Sequence, residues 1–193
     1  ISGNKFGTDI AGTISIPNVT TPNNPPPPLQ SADSNIYIYG SQGILGGAEP
    51  SQRNIIANSS FGDGVIINGP SQISILGNNF FSNAQLGIDL DGYDVNLNDA
   101  GDGDQGPNDL LNFPALTSEG IIGTNLKFTF KLDVPNGDYR IEFFANAIAD
   151  PSGYGEGEVY LGFADVTDTA NGPGNYTVTI PMPAGMTSDQ IQN

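Results

Sequence analysis

The sequence predicts an all-β protein, a short parallel β-helix followed by an immunoglobulin-like antiparallel β-sandwich. Apolar residues hardly ever recur at helical spacing, and 26 glycines and 15 prolines interrupt the 193 residues. In the first half, short apolar runs repeat at offsets of about 20 to 23 residues, which is typical of stacked β-coils. Beyond Phe113 the runs alternate between apolar and polar residues, as half-buried strands of an antiparallel sheet do.

In the repeats of the first half, one apolar run ends at an asparagine and a second apolar run begins after a glycine. "RNIIANSSFGDGVIING" from residue 53 resembles "SQISILGNNFFSNAQLGIDLDG" from residue 71. Asn58 and Asn78 are expected at bends, where Asn tolerates left-handed backbone geometry and stacked amides bond one another. One face of each strand points inward in such coils. The expected inward set is Ile55, Val65, Ile67, Ile73, Ile75, Phe80 and Ile88.

The coils are assigned to residues 1–112, with an inserted Pro-rich loop at 17–34. Six prolines lie between positions 17 and 28, and a strand with so many missing N–H donors cannot pair on both sides. The loop is interpreted as a spacer, and an arm that docks in an aromatic groove is the alternative. The coils are expected to resume at "NIYIYG", residues 35–40.

The sandwich is assigned to residues 113–193. "NLKFTFKL" and "DYRIEFF" flank the turn sequence "PNGD", which predicts a hairpin with Leu132 opposite Ile141. The same register puts Lys131 opposite Glu142 on the outer face. The sandwich is expected to lack its last strand, which leaves an open edge. Three more strands are expected at 113–118, 158–166 and 175–182, with a turn at Asn171-Gly172 between the last two.

The charge balance excludes several classes of partner. The 21 acids and five bases give a net charge of −16, which disfavours nucleic acids and anionic membrane surfaces and favours cations. No apolar run is long enough to span a bilayer, so membrane insertion is not expected. The absence of Cys and His removes disulfides and the usual proton shuttle at neutral pH.

An acidic junction at 89–109 carries the candidate metal site. It holds seven aspartates and no Lys or Arg, and such crowding is costly without a counterion. Carboxylate and amide oxygens suit Ca²⁺, although Ala100 and the lack of a closing Glu exclude an EF-hand. A solvated acidic linker is the alternative. The predicted ligands are Asp89, Asn98, Asp99, Asp102, Asp104, Asn108 and Asp109.

A second acidic loop, at residues 150–158, is a weaker candidate for cation binding. Its Glu156 and Glu158 are expected to be exposed to solvent, and ligation of a cation is the alternative. Three sequons, at Asn18, Asn58 and Asn175, are potential glycan acceptors.

Several stretches together resemble a known class of proteins. They are "GNKFGTDIAGT" (3–13), "LGIDLDG" (86–92), "NDAGDGDQGPNDLLNFPAL" (98–116), "YRIEFFAN" (139–146) and "DPSGYGEGEVYLG" (150–162). The class is that of bacterial secreted or cell-surface proteins with right-handed parallel β-helix repeats and a following immunoglobulin-like domain. The resemblance implies an extracellular location and an adhesive or structural role, with few assigned reactions.

The expected function is that of a noncatalytic structural or adhesive module, with copies of itself or other surface proteins as partners through open β edges. Assembly into a surface layer or fibre extends this hypothesis. A polysaccharide-degrading enzyme is one alternative, with Asp89 and Asp91 as a carboxylate pair, but the coils supply only Lys5 and Arg53 as bases. A carbohydrate-binding module is the other. Its platform would come from Tyr37, Tyr39, Tyr93, Tyr154 or Tyr160.

Overall fold

The structure, a computed structural model, describes residues 1–16, 34–150, 153–170 and 172–186. In these residues the regular structure is β-strand, apart from a short 3₁₀ turn at Pro50–Gln52. The segment Pro107–Leu110 is an irregular turn, in which Asn108, Asp109 and Leu110 have left-handed φ angles of 49°, 56° and 50°. No helix in the described ranges could cross a membrane. The chain divides into two compact units. The coil unit comprises Ile1–Asn96, Gln105–Leu110 and Ala149–Val159, and the sandwich unit comprises Leu97–Asp104, Leu111–Ile148 and Tyr160–Asn193.

The coil unit has three parallel sheets. Its strands in chain order are β1 (Lys5–Phe6), β2 (Ile36–Tyr39), β3 (Gln42–Gly46), β4 (Ile55–Ala57), β5 (Val65–Asn68), β6 (Gln72–Leu76), β7 (Asn79–Phe81) and β8 (Ile88–Leu90). The sheets are β1-β4-β7, β2-β5-β8 and β3-β6, and every pairing is parallel. Successive passes of the chain therefore add strands to the same three faces, as stacked coils do.

The core of the coil unit corrects the predicted inward set at two positions. Ile56, not Ile55, is fully buried, because the β4–β7 register places Ile56 beside the buried Phe80. Ile88 is 39% exposed, since β8 is the end strand of its sheet. Ile75 is half-buried. The buried core consists of Ile36, Leu45, Ile56, Val65, Ile67, Ile73 and Phe80.

Buried asparagines satisfy backbone groups at one bend of the coils. The Asn78 Oδ1 atom accepts hydrogen bonds from the Asn54 backbone N–H (3.0 Å) and Nδ2 (2.7 Å), and Asn78 Nδ2 donates to the Leu45 carbonyl (2.8 Å). Asn54 Oδ1 in turn accepts from the Asn4 backbone N–H at 2.8 Å. Gly46 makes room for this amide ladder, because a Cβ there would lie 2.5 Å from Asn78 Oδ1. The predicted stacking of asparagine amides is therefore found at Asn78, but its partner is Asn54, and the Asn58 amide donates to the Gly7 carbonyl at 3.0 Å instead.

The backbone geometry at the bends is partly as expected. Asn58 has a left-handed φ of 57°, as predicted. At the other bend the left-handed residue is Gly77, with φ 65°, and not Asn78. Glycine takes this geometry without the steric cost that a side chain imposes, so Asn78 remains free to turn its amide inward.

The sandwich unit consists of two sheets. Its strands are β9 (Ala115–Ile122), β10 (Asn125–Leu132), β11 (Gly137–Ala145), β12 (Val159–Asp168) and β13 (Gly174–Pro181). The order β13-β10-β9 is antiparallel, and β11 pairs with β12. The Phe128 and Phe143 rings stack between the sheets with centroids 4.1 Å apart. The all-β fold class, a parallel part followed by a sandwich, is confirmed.

The predicted β10–β11 hairpin is wrong. Strand β10 pairs with β9 and β13, whereas β11 lies in the other sheet. Leu132 and Ile141 are both buried, but they enter the core from opposite sheets, and Lys131 is paired with Asn175 instead of Glu142. Alternation shows which side of a strand faces the core and does not show which strand is its neighbour. Strands β12 and β13 likewise lie in different sheets.

Some predictions concern residues outside the described ranges. These are most of the Pro-rich loop, residues 17–33, with the sequon at Asn18, the turn residue Asn171, and the end of the chain at 187–193 where the last strand was expected to be missing.

The substitution Asn78→Ala is expected to lower the free energy of unfolding of the coil unit by about 3 kcal/mol or more. It leaves buried groups of Asn54 and Leu45 without partners, and each unsatisfied group costs about 1–3 kcal/mol. Urea denaturation followed by circular dichroism measures the change. The control Gln85→Ala removes an exposed amide from the same unit. Its free energy of unfolding should differ from that of the wild type by no more than about 0.5 kcal/mol. Equal midpoints for both variants would contradict a stabilising ladder.

Candidate functional site

Three of the predicted ligands form a carboxylate cluster in the sandwich unit. Asp99, Asp102 and Asp104 each offer an oxygen, and these oxygens lie within 4.8 Å of one another. A tight turn brings them together, with left-handed φ angles at Gly101 (77°) and Asp102 (54°). The Gly103 N–H donates to Asp99 Oδ2 at 3.2 Å and closes the turn. Alternate acids separated by glycines thus face a common centre.

Asn112 fixes this loop to the sandwich. Its buried amide accepts from the Asp99 N–H at 3.0 Å and donates to the carbonyls of Asp99 (2.9 Å) and Asp133 (2.6 Å). Its backbone N–H donates to Asp102 Oδ1 at 2.6 Å. Sequence reasoning missed Asn112, because nothing in the local sequence distinguishes an amide that anchors a loop from one that faces solvent.

The electrostatics of the cluster are unfavourable without a counterion. The stretch 89–109 contains no Lys or Arg, and Asp99 and Asp104 make no ion pair with any residue that the structure describes. The Asp104 Oδ1 atom is buried and has no hydrogen-bond partner among the described residues. Burying a carboxylate oxygen without a donor is costly, and a bound cation removes that cost.

The other four predicted ligands make different contacts. Asn98 exchanges two hydrogen bonds with the Phe113 backbone (2.8 and 2.9 Å). Asn108 and Asp109 belong to the coil unit. The Asn108 amide exchanges two hydrogen bonds with the Ile73 backbone (2.7 and 2.8 Å), and Asp109 Oδ2 accepts from Gln72 at 3.0 Å. The Asn108 side chain thereby makes the hydrogen bonds that the backbone of a neighbouring strand would make with β6.

Asp89 lies in the coil unit and closes a turn there. It is 2% exposed, and its two carboxylate oxygens accept from the N–H groups of Gly92 (3.1 Å) and Asp94 (3.3 Å). Burial raises its pKa above the ordinary value, although these two hydrogen bonds oppose the shift. The structure therefore brings three of the seven predicted ligands together and gives the other four separate structural contacts.

Glu156 is part-buried in the coil unit, which corrects its expected exposure; Glu158 is also part-buried. The Glu156 carboxylate accepts from the backbone N–H of Asn83 (3.2 Å) and from its Nδ2 (2.5 Å). Desolvation raises the pKa of Glu156, and the Asn83 hydrogen bonds oppose that rise. The neighbouring Gly157 carbonyl accepts from the Phe80 N–H at 2.8 Å, so this loop continues the β7 edge.

A buried acid without a neutralising partner lies in the coil unit at Asp63. Its side chain is 3% exposed, and its Oδ1 accepts from the Leu86 N–H at 2.9 Å. The pKa of Asp63 is raised from 3.8 to about 6, mainly by burial and secondly by repulsion from Asp89. Ionisation of Asp63 therefore costs more free energy in the folded state than in the unfolded state.

Comparisons of the chain with protein families, with curated proteins and with solved structures find no match.

The substitution Asp63→Asn is expected to raise the free energy of unfolding at pH 7 by up to about 3 kcal/mol, because a pKa unit corresponds to about 1.4 kcal/mol. The amide keeps the Oδ1 acceptor for Leu86. Since the native pKa exceeds the unfolded value, the wild-type contribution is greatest below about pH 4 and is lost as the pH rises through about 6.

Urea denaturation at pH 4 and pH 7 tests this sign. The gain should appear at pH 7 and vanish at pH 4, and Asp91→Asn, the same charge change in the same unit, should give a smaller gain. A gain of equal size at both pH values would show that the effect does not come from ionisation.

Proposed function

We propose that this chain is a noncatalytic structural module of a secreted or cell-surface protein, in which a bound calcium ion stabilises the loop at 98–104 of the sandwich unit. The observation that carries the proposal is the cluster of Asp99, Asp102 and Asp104, in which Asp104 presents a buried oxygen without a hydrogen-bond partner in the described part of the chain. A ligand that neutralises three carboxylates at once accounts for both features.

The donor set favours a hard cation. With no His or Cys in the chain, the nitrogen and sulfur ligands that zinc and copper prefer are absent. Carboxylates on a glycine-containing loop suit calcium, which accepts six to eight oxygens in varied geometries. Three protein carboxylates leave room for backbone carbonyls and water in such a shell.

The contacts of the coil unit support a noncatalytic role. Both oxygens of Asp89 bind turn N–H groups, and Asp91 has a left-handed φ of 78° just after β8. Turn formation therefore accounts for both Asp89 and Asp91, the carboxylate pair considered above as catalytic residues. Lys5, one of two basic side chains in these coils, donates to the Ile10 carbonyl at 2.7 Å, where it supports a loop instead of a reaction centre.

Assembly through strand edges belongs to the same proposal. Strand β9 ends the three-stranded sheet, and all but one of its eight residues are exposed. Leu116 and Ile122 on this strand are 55% and 56% exposed. An end strand with apolar side chains can pair with a strand of a second copy or of another surface protein.

Glycan binding is the second candidate function, and two tyrosines of β2 favour it. Tyr37 and Tyr39 are 45% and 65% exposed, and they share the outer face of the strand because Ile36 points into the core. The Tyr39 ring leans over Gly69, where a Cβ would lie 2.9 Å from its Cε2 atom. Tyr160 does not join such a platform, because its ring packs edge-on against Phe144.

Calcium at a hundredfold excess over its Kd is expected to stabilise the wild-type sandwich unit by about 3 kcal/mol relative to chelator, because only the folded loop binds the ion. Asp104→Asn should lose most of this shift. Without calcium the same variant should be at least as stable as the wild type, since one repelling charge is gone. Scanning calorimetry with calcium and with chelator measures both effects.

Glu119→Gln is the matched control for Asp104→Asn. It removes one exposed carboxylate from β9 in the same unit and should keep the full calcium shift. A wild-type melting curve that does not respond to calcium would refute the proposed ion.

The glycan hypothesis predicts binding on a glycan array that Tyr39→Ala reduces by about tenfold, the loss expected when about 1–2 kcal/mol of stacking contact is removed. Tyr93→Ala removes a ring that is 69% exposed and lies outside β2, and should leave binding unchanged. Absence of wild-type binding would eliminate this candidate.

A further inference from the structure

The outer face of the three-stranded sheet in the sandwich unit carries positive charge in a strongly acidic chain. Lys127, Thr129 and Lys131 of β10 point outward, because the residues that alternate with them are buried in the core. Their register partners on β9 and β13 are all Gly, Ala, Ser, Thr or Asn. Glu119 of β9 is paired with Phe128 and so lies on the other side of the sheet. This outer face, centred on Lys127, Thr129 and Lys131, is called the lysine face.

The two lysines are spaced along one strand. Lys127 and Lys131 are four residues apart, which corresponds to about 13 Å in an extended strand. Neither forms an ion pair with any residue that the structure describes. Between them, the Thr129 hydroxyl lies 3.2 Å from the Thr177 hydroxyl of β13. The lysine face therefore presents two positive charges separated by neutral hydroxyl groups.

The outer face of the β11–β12 sheet carries the opposite charge. Asp138, Arg140 and Glu142 alternate along β11 with residues that point into the core. The Arg140 guanidinium forms an ion pair with Asp165 of β12 at 3.0 Å, so these two charges cancel. Asp138 and Glu142 leave an excess of negative charge, and they too are four residues apart on one strand. This face, with Asp138, Arg140, Glu142 and Asp165, is called the acidic face.

The acidic face also presents aromatic rings. The Arg140 guanidinium lies 3.8 Å from the ring centroid of Phe163, which is 42% exposed. The Phe144 ring packs edge-on against Tyr160, with centroids 5.4 Å apart. Aromatic residues and Arg contribute most to the affinity of protein interfaces, and the methylene stems of lysines readily cover apolar surface. A lysine-bearing partner therefore gains packing as well as charge contacts on this face.

We propose that the lysine face of one copy of the chain stacks on the acidic face of a second copy. Stacked sheets lie about 10 Å apart with strand directions within about 30° of each other, so β10 of one copy aligns with β11 of the next. The equal spacing lets both lysines meet Asp138 and Glu142 at the same time. Because the two faces belong to different sheets of one sandwich, each copy keeps a free face, and a head-to-tail row of copies forms.

This contact rests on the structural role proposed above and identifies the partner in the assembly as a second copy. It differs from pairing through β9, because it uses sheet faces instead of a strand edge. The net charge of −16 makes copies repel at long range. Screening limits that repulsion to about 8 Å at physiological ionic strength, whereas the charges of two stacked faces come closer together.

The experiment is sedimentation velocity of the full chain over a series of concentrations, in physiological salt with chelator. The chelator removes ions that would bridge carboxylates of different copies, and it makes the result independent of the proposed calcium site. Lys127→Gln/Lys131→Gln, the lysine variant, neutralises one face. Asp138→Asn/Glu142→Gln, the acid variant, neutralises the other and keeps the Oδ1 acceptor for the Thr167 hydroxyl. Circular dichroism establishes that each variant is folded.

The wild type is expected to associate into growing rows, and each double variant should associate about tenfold more weakly, as expected for the loss of two surface ion pairs. An equimolar mixture of the two variants should form a 1:1 complex that does not grow, because each variant supplies one intact face. The control Glu119→Gln/Asp94→Asn removes two exposed acids outside the acidic face and should associate as the wild type does. If a double variant does not fold, Lys131→Gln and Asp138→Asn alone decide.

Leu116→Lys places a charge on the edge strand β9 and should leave the association unchanged. If it abolishes association while the face variants do not, copies pair through β9 and the face contact is overturned. A wild type that is monomeric at every concentration, or a variant mixture that stays monomeric, would also overturn it. Binding of polygalacturonate to a monomeric wild type, but not to the lysine variant, would assign the lysine face to an acidic polysaccharide instead.

Discussion

Carboxylates greatly outnumber cationic side chains in this chain, 21 to five, so most acids need hydrogen-bond donors in place of ion pairs. Backbone N–H groups of turns supply them. Asp9 accepts from Thr13 and Ile14 at 2.7 and 2.9 Å, and this lowers its pKa. Asp89 accepts from Gly92 and Asp94 in the same way. A short Asp side chain reaches its local backbone, which is why Asp serves these turns well.

The two units treat surplus negative charge differently. In the coil unit, burial raises the pKa values of Asp63 and Asp89. Repulsion from Asp89 adds to the rise at Asp63, and repulsion from Asp94 and Asp91 adds to the rise at Asp89, so ionisation of these acids costs more in the folded state than in the unfolded state. In the sandwich unit, Asp168 is held ionised by its donors, and buried oxygens of Asp104, Asp133 and Asp168 remain without hydrogen-bond partners in the described part. In the coil unit the cost is therefore one of ionisation at Asp63 and Asp89, whereas the buried Asp104 oxygen of the sandwich unit is the one that the proposed cation would satisfy. The calcium site proposed at Asp99, Asp102 and Asp104 follows from this difference.

The coil unit also shows how stacked strands are satisfied at bends and ends. The amides of Asn54 and Asn78 replace the ladder hydrogen bonds that are lost where the chain turns inside the core. At the strand edges of β6 and β7, Asn108 and the loop of Glu156 supply further partners. Strand ends and bends leave backbone groups that need hydrogen-bond partners. Asparagine and the part-buried Glu156 supply those partners where water would otherwise have to do so.

The sequence by itself determined the fold class, the strand-forming segments and the crowding of Asp99, Asp102 and Asp104, because periodicity and local charge are properties of neighbouring residues. It also indicated that asparagine amides stack at the bends, but not that the partner of Asn78 is Asn54. It left the strand partners undetermined, since Leu132 and Ile141 face the core equally well from one sheet or from two. The tertiary structure decided which acids meet. It gave Asp89 and Asp109 contacts of their own within the coil unit and fixed the Asp99 loop to the sandwich through Asn112, because burial and hydrogen bonding depend on contacts between segments that no local pattern records.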